Sequence, residues 1–243
     1  MSSTRVAIVT GGSGGIGRAI AERLAADGQG VVIAYGRDAD AARQIVDGIQ
    51  ERGGRAAMVQ ADVADETAMA AVFASAEREF GGVDVVVNCA GLMLLAPLAE
   101  ADLADLDRMH RVNVRGTLVV NQLAARRLRS GGAIINLSST VVKLALPTYA
   151  GYVATKAAVD AISLVLAKEL HGRDITVNAV APGPTATPLF LDGKDEQTID
   201  RMAKANPMGR LGQPVDIAEV VSFLAGPGRW INGQTVYANG GAI

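Results

Sequence analysis

The feature that most constrains the fold of this chain is a regular alternation of short β-branched runs with longer stretches rich in Ala and Leu. The short runs are apolar throughout, which indicates strands buried on both faces, as in a parallel sheet covered by helices. Helical stretches separate successive runs, so the pattern predicts right-handed βαβ units in a doubly wound α/β domain. We expect about seven strands, near residues 6–9, 31–34, 57–60, 83–87, 133–137, 175–180 and 235–238.

The length of 243 residues fits a single domain covering residues 1–243. One stretch, from Pro182 to Pro214, breaks the alternation, because it holds five of the eight prolines and few strand-forming residues. A long irregular stretch inside a compact domain is typically functional. We therefore predict a substrate lid at about residues 184–207.

Charge and cysteine content exclude several classes of function. The formal net charge of −2 argues against nucleic-acid binding, and no apolar run approaches the ~20 residues of a membrane helix. Cys89 is the only cysteine, and no cluster of carboxylates or histidines indicates a metal site. The first five residues lack an apolar signal segment, so we expect a cytoplasmic protein that acts on a small molecule.

A glycine-rich loop follows the first predicted strand and precedes the first helix. It reads Thr10-Gly11-Gly12-Ser13-Gly14-Gly15-Ile16-Gly17. Glycine lets backbone N–H groups approach a ligand closely, and the N-terminus of the following helix favours a pyrophosphate. This position predicts a Rossmann-like dinucleotide site, with contacts from Gly11, Ser13, Gly15, Ile16 and Gly17.

The end of the second strand bears on which dinucleotide binds. An NAD site usually places Asp or Glu there, but the strand ends Tyr35-Gly36-Arg37. The Arg37 guanidinium suits a 2′-phosphate, so we predict NADP(H) in preference to NAD(H). Alternatively, Arg37 is an ordinary solvated charge. Asp38 is one step too late, and is as well placed to cap the next helix.

Tyr152 and Lys156 lie four residues apart in a stretch compatible with a helix, so they share one helix face. An ammonium one turn from a phenol favours the phenolate, and we expect Lys156, together with an oxidised nicotinamide ring, to lower the pKa of Tyr152 below the usual ~10. Such a pair alone carries little information, because it also arises by chance on solvated helices.

Taken together, these motifs resemble the short-chain dehydrogenase/reductase family over essentially the whole chain. Ser139, rather than Ser138, stands at the family's usual interval, thirteen residues before Tyr152. The matching residues are Gly11, Gly15 and Gly17 in the cofactor loop; Asp62 and Val63 beside the adenine; Asn88, Ala90 and Gly91 after the fourth strand; Asn113 in a helix; Ser139, Tyr152 and Lys156 at the catalytic positions; and Pro182, Gly183, Thr185 and Thr187 near the nicotinamide carboxamide.

The resemblance implies a role for each catalytic residue in carbonyl reduction. Tyr152 is expected to donate a proton to the substrate oxygen, and Ser139 to hydrogen-bond that oxygen. Lys156 is expected to lower the Tyr152 pKa and grip the nicotinamide ribose. Asn113 is expected to hold a water that links Lys156 to solvent, although a buried helix Asn also often bonds neighbouring main chain.

The chain departs from the family pattern at two places. Cys89 stands where the family more often has Asn, and we expect a small buried hydrophobe there instead of a reactive thiol. Gly14 replaces the family's basic residue before the second motif glycine, which leaves Arg37 as the main local argument for NADP(H). His110 and His171 lie outside every matched motif, and we assign neither a catalytic role.

The segments that shape the substrate pocket in the family are mostly apolar here, which favours an apolar or acyl-chain ketone or an aldehyde. The alternative is that some of these side chains serve the core or a subunit contact. The predicted pocket residues are Leu144, Leu146, Tyr149, Leu189 and Phe190.

Two C-terminal segments, residues 209–214 and 231–234, resemble 3-oxoacyl-thioester (acyl-carrier-protein) reductases and NADPH-dependent carbonyl and aldehyde reductases. A 3-oxoacyl thioester is the best single substrate prediction. General aldehyde or ketone reduction, steroid or sugar alcohol oxidation, and a non-catalytic NADP(H)-sensing module remain open.

The helical stretch from Tyr152 to Leu170 is apolar on more than one face. One face suits the sheet and the remainder suits another subunit. The family resemblance implies a homotetramer, with dimers less common.

Overall fold

The computed structural model describes residues 4–243. Residues 1–3, which belong to the predicted domain and to the N-terminal segment considered above, lie outside the described residues. Seven strands form one parallel sheet in the order β3-β2-β1-β4-β5-β6-β7, which confirms the predicted fold class. The strands are β1 Val6–Thr10, β2 Gly30–Tyr35, β3 Arg55–Gln60, β4 Val85–Asn88, β5 Ala133–Leu137, β6 Thr176–Pro182 and β7 Thr235–Ala238.

Helices connect the strands and cover both faces of the sheet. The helices are α1 Gly15–Ala26, α2 Ala39–Glu51, α3 Glu66–Phe80, α4 Leu103–Met109, α5 Gly116–Arg127, α6 Val141–Leu144, α7 Ala150–Glu169, α8 Pro188–Leu191, α9 Glu196–Lys204 and α10 Pro214–Ala225.

The core has two layers because successive side chains of a strand point to opposite faces. In β1, Ala7 and Val9 pack with α1, α2 and α10, whereas Val6 and Ile8 pack with α3 and α5. All four side chains are fully buried. Continuous apolar strand sequences are therefore required by this architecture, as the sequence predicts.

Strand β4 begins two residues later than the apolar run suggests. The carboxylate of Asp84 accepts a hydrogen bond from the Val6 backbone N–H at 2.7 Å and pairs with Arg129. The Asp84 side chain thereby accepts the backbone N–H at the start of β1. Pairing between β1 and β4 starts at the next residue, with Ala7 opposite Val85.

A π-helical segment, His110–Arg115, joins α4 to α5 without an intervening loop. It carries Asn113, which is almost completely buried. The preceding helix packs closely on the start of α7: a Cβ atom placed on Gly151 would lie 2.3 Å from Leu106 Cδ2 and 3.0 Å from Met109 Cε. Glycine at position 151 therefore permits the close approach of these helices.

Helix α7 is the one helix of residues 4–243 that is long and apolar enough to cross a membrane by length and composition alone. In this fold it packs against β5 and β6 as part of the layer that covers the sheet. Its outer face leaves Leu164 and Val165 about half exposed.

Strand β1 lies between β2 and β4, so the chain winds outward in opposite directions on either side of it. In open parallel sheets, ligands bind at this switch point, beyond the carboxyl ends of the strands. The glycine loop after β1 and the Cys89–Gly91 segment after β4 meet there, since a Cβ atom on Gly11 would lie 2.9 Å from Ala90 Cα.

Candidate active site

A cavity of about 390 Å³ opens at the carboxyl ends of the central strands. It brings together most of the residues that the sequence singles out. Those lining it are Gly11, Gly15, Ile16, Gly17, Ala90, Gly91, Ser139, Leu144, Leu146, Tyr149, Tyr152, Lys156, Pro182, Gly183, Thr185, Thr187, Leu189 and Phe190.

The glycine loop forms a close-packed cradle at one end of this cavity. Gly11 and Gly15 have left-handed backbones, with φ of 64° and 51°. A Cβ atom on Gly17 would lie only 2.3 Å from the Gly11 carbonyl oxygen. Gly14 caps α1 without a side-chain hydrogen bond, and the first turn has no acidic residue, so backbone N–H groups there remain available to an anion.

At the tip of β2, Tyr35 is buried and Arg37 is exposed. The neighbouring Asp38 accepts a hydrogen bond from the Ala41 N–H at 2.9 Å, so it caps α2 as anticipated. Arg37 makes no ion pair or hydrogen bond with any residue of the range 4–243. Its guanidinium thus remains available to a phosphate.

Six predicted cofactor residues do not line the cavity: Ser13, Tyr35, Arg37, Asp62, Val63 and Asn88. Asp62 accepts hydrogen bonds from Ala64 N–H at 2.9 Å and from Arg111 at 2.6 Å.

The Asn88 side chain is buried in a network below the cavity. It accepts a hydrogen bond from Thr10 and donates one to Thr117. The Thr10 hydroxyl in turn accepts from the backbone N–H groups of Cys89 and Ala90, both at 3.1 Å. This network fixes the path of the loop that follows β4.

The segment after β6 closes another side of the cavity. A Cβ atom on Gly183 would lie 2.8 Å from Asn239 Cα, so this segment runs tightly against the C-terminal residues. Thr185 donates to the Gly183 carbonyl at 2.9 Å, and Thr187 caps α8 by accepting from the Phe190 N–H at 3.2 Å.

Three polar side chains form the floor of the cavity. Ser139 follows β5 and lines the cavity beside the Tyr152 phenol, whereas the Ser138 hydroxyl donates to the Lys156 backbone carbonyl at 3.4 Å. Lys156 donates to the Leu137 carbonyl at 2.7 Å, and its Nζ lies 5.7 Å from the centre of the Tyr152 ring. The arrangement can hold a carbonyl oxygen between two hydroxyl groups.

Burial governs the protonation of Tyr152 and Lys156. Desolvation raises the pKa of Tyr152 above its usual value, although the hydrogen bond from Ser139 acts in the opposite direction. Desolvation also lowers the pKa of the Lys156 ammonium to about 8. Burial thus outweighs the effect of Ser139, so the protein's own residues do not lower the Tyr152 pKa as expected, and the contribution of an oxidised nicotinamide ring stays a prediction. The phenol keeps its proton at neutral pH.

The Asn113 amide is engaged within the protein. Its Oδ1 accepts from the Leu92 N–H, and its Nδ2 donates to the Leu92 carbonyl and to Thr155. A Cβ atom on Gly91 would lie 3.6 Å from both Asn113 Oδ1 and Lys156 Nζ. Asn113 thus clamps the loop after β4 beside Lys156, while its role in holding a water stays a prediction.

Cys89 lines the cavity but is a poor nucleophile. Desolvation raises the pKa of its thiol to about 12, so the thiol stays protonated at neutral pH. His110 and His171 are exposed, and neither lines the cavity.

The outer part of the cavity is mostly apolar. Leu144, Tyr149, Leu189 and Phe190 line it, and Tyr149 meets Tyr152 edge to face with ring centres 6.5 Å apart. Met93, Val141 and Met202 also line the cavity. The sequence does not single them out by name, although all three fall in the segments expected to shape the pocket, residues 92–95, 141–149 and 184–207.

Comparison with known proteins identifies the family. The profile of a family described as enoyl-(acyl carrier protein) reductase matches residues 11–242. A short-chain type dehydrogenase/reductase from Picea abies is 42% identical over 250 residues, covering 98% of this chain and 92% of that protein. A chloroplastic NADPH-dependent aldehyde reductase-like protein from Arabidopsis thaliana is 40% identical over 254 residues, covering 98% and 94%.

A solved structure supports the same assignment. The short-chain dehydrogenase from Burkholderia cenocepacia J2315, crystallised in complex with NADP, superposes with a TM-score of 0.92 at 40% identity. The match covers 99% of this chain and 98% of the other. The chain belongs to the short-chain dehydrogenase/reductase family.

Proposed function

We propose that this protein is an NADPH-dependent carbonyl reductase that converts an aldehyde or ketone to an alcohol, reversibly, with Tyr152 as general acid. The observation that carries the proposal is that Ser139, Tyr152 and buried Lys156 lie together on the floor of an apolar cavity. A regulatory or purely structural module would have no need of this buried polar group.

The chain offers a fitting site for NADP(H). The glycine cradle and the uncapped start of α1 suit the pyrophosphate, and unpaired Arg37 suits the 2′-phosphate. The Burkholderia relative binds NADP, and the Arabidopsis relative is named as NADPH-dependent, which supports the same choice here. When bound, NADPH supplies the hydride that the reaction requires.

The protein's own groups handle the substrate oxygen and its proton. Ser139 and Tyr152 hold the carbonyl oxygen by two hydrogen bonds, and the Tyr152 hydroxyl transfers its proton to that oxygen as the carbonyl carbon is reduced. The high pKa of Tyr152 keeps the proton in place until then. Lys156 stabilises the phenolate that forms, and a proton from solvent restores the phenol.

Two substrate classes are supported by different observations. The apolar lining and the aldehyde-reductase relative favour apolar aldehydes and ketones. The matching family is described as an enoyl-(acyl carrier protein) reductase, which supports an acyl thioester, and residues 209–214 and 231–234 resemble 3-oxoacyl-thioester reductases. Both place a carbonyl group beside Tyr152 and an apolar chain against Leu144 and Phe190.

A panel of candidate substrates tests this function by NADPH consumption. We expect kcat/KM for apolar aldehydes, ketones or 3-oxoacyl thioesters to exceed that for sugars at least ~10-fold, because a polar substrate loses hydration in an apolar cavity. Steroids complete the panel. NADPH binding without turnover of any carbonyl compound would favour a cofactor-sensing module and contradict the proposal.

The role of Arg37 is tested by its replacement with alanine. Loss of a charge-assisted contact with the 2′-phosphate is worth about 1.5–3 kcal/mol, so we expect the KM for NADPH to rise at least ~10-fold. The KM for NADH should not change, because NADH lacks that phosphate. Arg43, an exposed arginine on α2, provides a matched control as Arg43→Ala. An equal effect of Arg37→Ala on both cofactors would refute a role in selectivity.

We further propose that residues 184–207 act as the substrate lid, since Leu189, Phe190 and Met202 line the cavity from α8 and α9. Exposed Leu118 on α5 and Leu164 and Val165 on α7 support a homotetramer or dimer formed through these helices. The lone, unreactive cysteine is compatible with the cytoplasm. Light scattering and cell fractionation test the last two proposals.

A further inference from the structure

Lys156 has an unusual environment for a cation. Its side chain is 5% exposed, and its one hydrogen bond to the described chain goes to a neutral carbonyl, that of Leu137. A buried ammonium is costly unless an opposite charge lies nearby. The ionisable groups that act on it are Cys89, from the loop after β4, and Asp160, while Tyr152 lies beside it on α7. Cys89 and Tyr152 are neutral at pH 7, so Asp160 is the group that can supply negative charge.

Asp160 lies one helical turn beyond Lys156 on α7, and its side chain turns inward. Ser138, which follows β5, and Thr235 of β7 both act on its carboxylate and lower its pKa. The Ser138 hydroxyl donates to the Lys156 backbone carbonyl at 3.4 Å, and the i, i+4 spacing places the Asp160 and Lys156 side chains on one face of α7. Two more ionisable side chains face Asp160: Lys143 of α6 and Tyr237 of β7.

The position is costly for a carboxylate. Asp160 Oδ1 is inaccessible to water and has no hydrogen-bond partner among residues 4–243. Burial raises the pKa of Asp160, while Ser138, Thr235 and the two lysines act in the opposite direction. A buried oxygen without a partner calls for a functional reason, because a carboxylate on an ordinary helix face would be solvated.

We propose that Asp160 is a positioning residue for the reductase reaction: its carboxylate keeps the neighbouring Lys156 in its charged form and so sets the upper pH limit of turnover. The proposal rests on the proposed reductase function. It needs no contact between Asp160 and the substrate.

If the carboxylate is removed, the alkaline limb of the pH–activity profile should move to lower pH. The pKa of Lys156 is lowered to about 8 even with Asp160 present, so activity should fall as pH rises through that region. Without the carboxylate, Lys156 loses its proton at lower pH, since an opposite charge favours the protonated ammonium. Well below this range Lys156 remains charged with or without Asp160.

The test compares kcat/KM from pH 6 to 10 for the wild type, Asp160→Asn, Asp160→Glu and Glu169→Gln. We expect the alkaline limb of Asp160→Asn to move down by at least about half a pH unit, with activity near pH 6 within a few-fold of wild type. Asp160→Glu, which keeps the charge, should retain the wild-type limb. Glu169→Gln removes an exposed carboxylate from the end of the same helix and should also match wild type.

A wild-type alkaline limb in folded Asp160→Asn would overturn the proposal. If that variant is insoluble, Asp160→Ser keeps a hydroxyl toward Thr235 without the charge, and the same downward shift is expected. Inactivity of the wild type across the whole substrate panel would instead refute the reductase function. The two failures are therefore distinguishable.

Discussion

Tyr152→Phe is expected to lower kcat/KM for carbonyl reduction by about 10³-fold, within the usual range for loss of a positioned general acid. The substitution keeps the ring, which packs against Tyr149 and beneath Lys156, and removes the hydroxyl that Ser139 contacts. The loss should appear in kcat, because the proton is transferred only as the substrate oxygen gains electrons.

NADPH binding provides the internal control for this variant. Fluorescence titration should give a dissociation constant within about threefold of wild type, since the cradle around Gly17 is untouched. Reduction of a good substrate at a rate within a few-fold of wild type would show that another group, or water, donates the proton.

Gly17→Ala is expected to weaken NADPH binding by about 10²-fold and to lower the melting temperature. The added methyl group would lie 2.3 Å from the Gly11 carbonyl oxygen, so α1 or the loop must move. Overpacking of this kind costs about 1–3 kcal/mol, and 2.7 kcal/mol corresponds to about 10²-fold in binding. The loop cannot shift without losing its close approach to Ala90.

Gly14→Ala offers a matched control in the same loop. A Cβ atom at Gly14 meets nothing within 4 Å, and its φ of −166° suits any residue. We expect NADPH binding within a few-fold of wild type, with a small loss of stability because alanine is a poor helix cap. Equal effects of the two substitutions would mean that steric fit at Gly17 does not control the cradle.

The sequence predicts the sheet well because burial on both faces demands continuous apolar strands, and the elements from β1 to β7 follow those runs closely. The sequence does not predict the two helices within residues 184–207. Proline usually interrupts a helix, but Pro188 lies in the first turn of α8, where proline is well tolerated. The π-helical segment around Asn113 has no signal in apolar spacing.

Within the active site, the sequence predicts which residues meet but not how deeply they lie. The i, i+4 spacing brings Lys156 beside Tyr152, yet only the structure shows that both are buried, which reverses the expected direction of the Tyr152 pKa. The burial of the Asp160 carboxylate is likewise visible only in the structure. At the sequence level it is one more acidic residue on a helix.

The π-helical segment also makes the number of residues between α4 and α5 critical. One residue fewer between Met109 and Gly116 would restore regular α-helical winding and turn α4 by about 100° relative to α5. Leu106 and Met109 would then leave the surface of α7 at Gly151, and Asn113 would leave Leu92. A deletion here would therefore disturb the active site from outside the cavity.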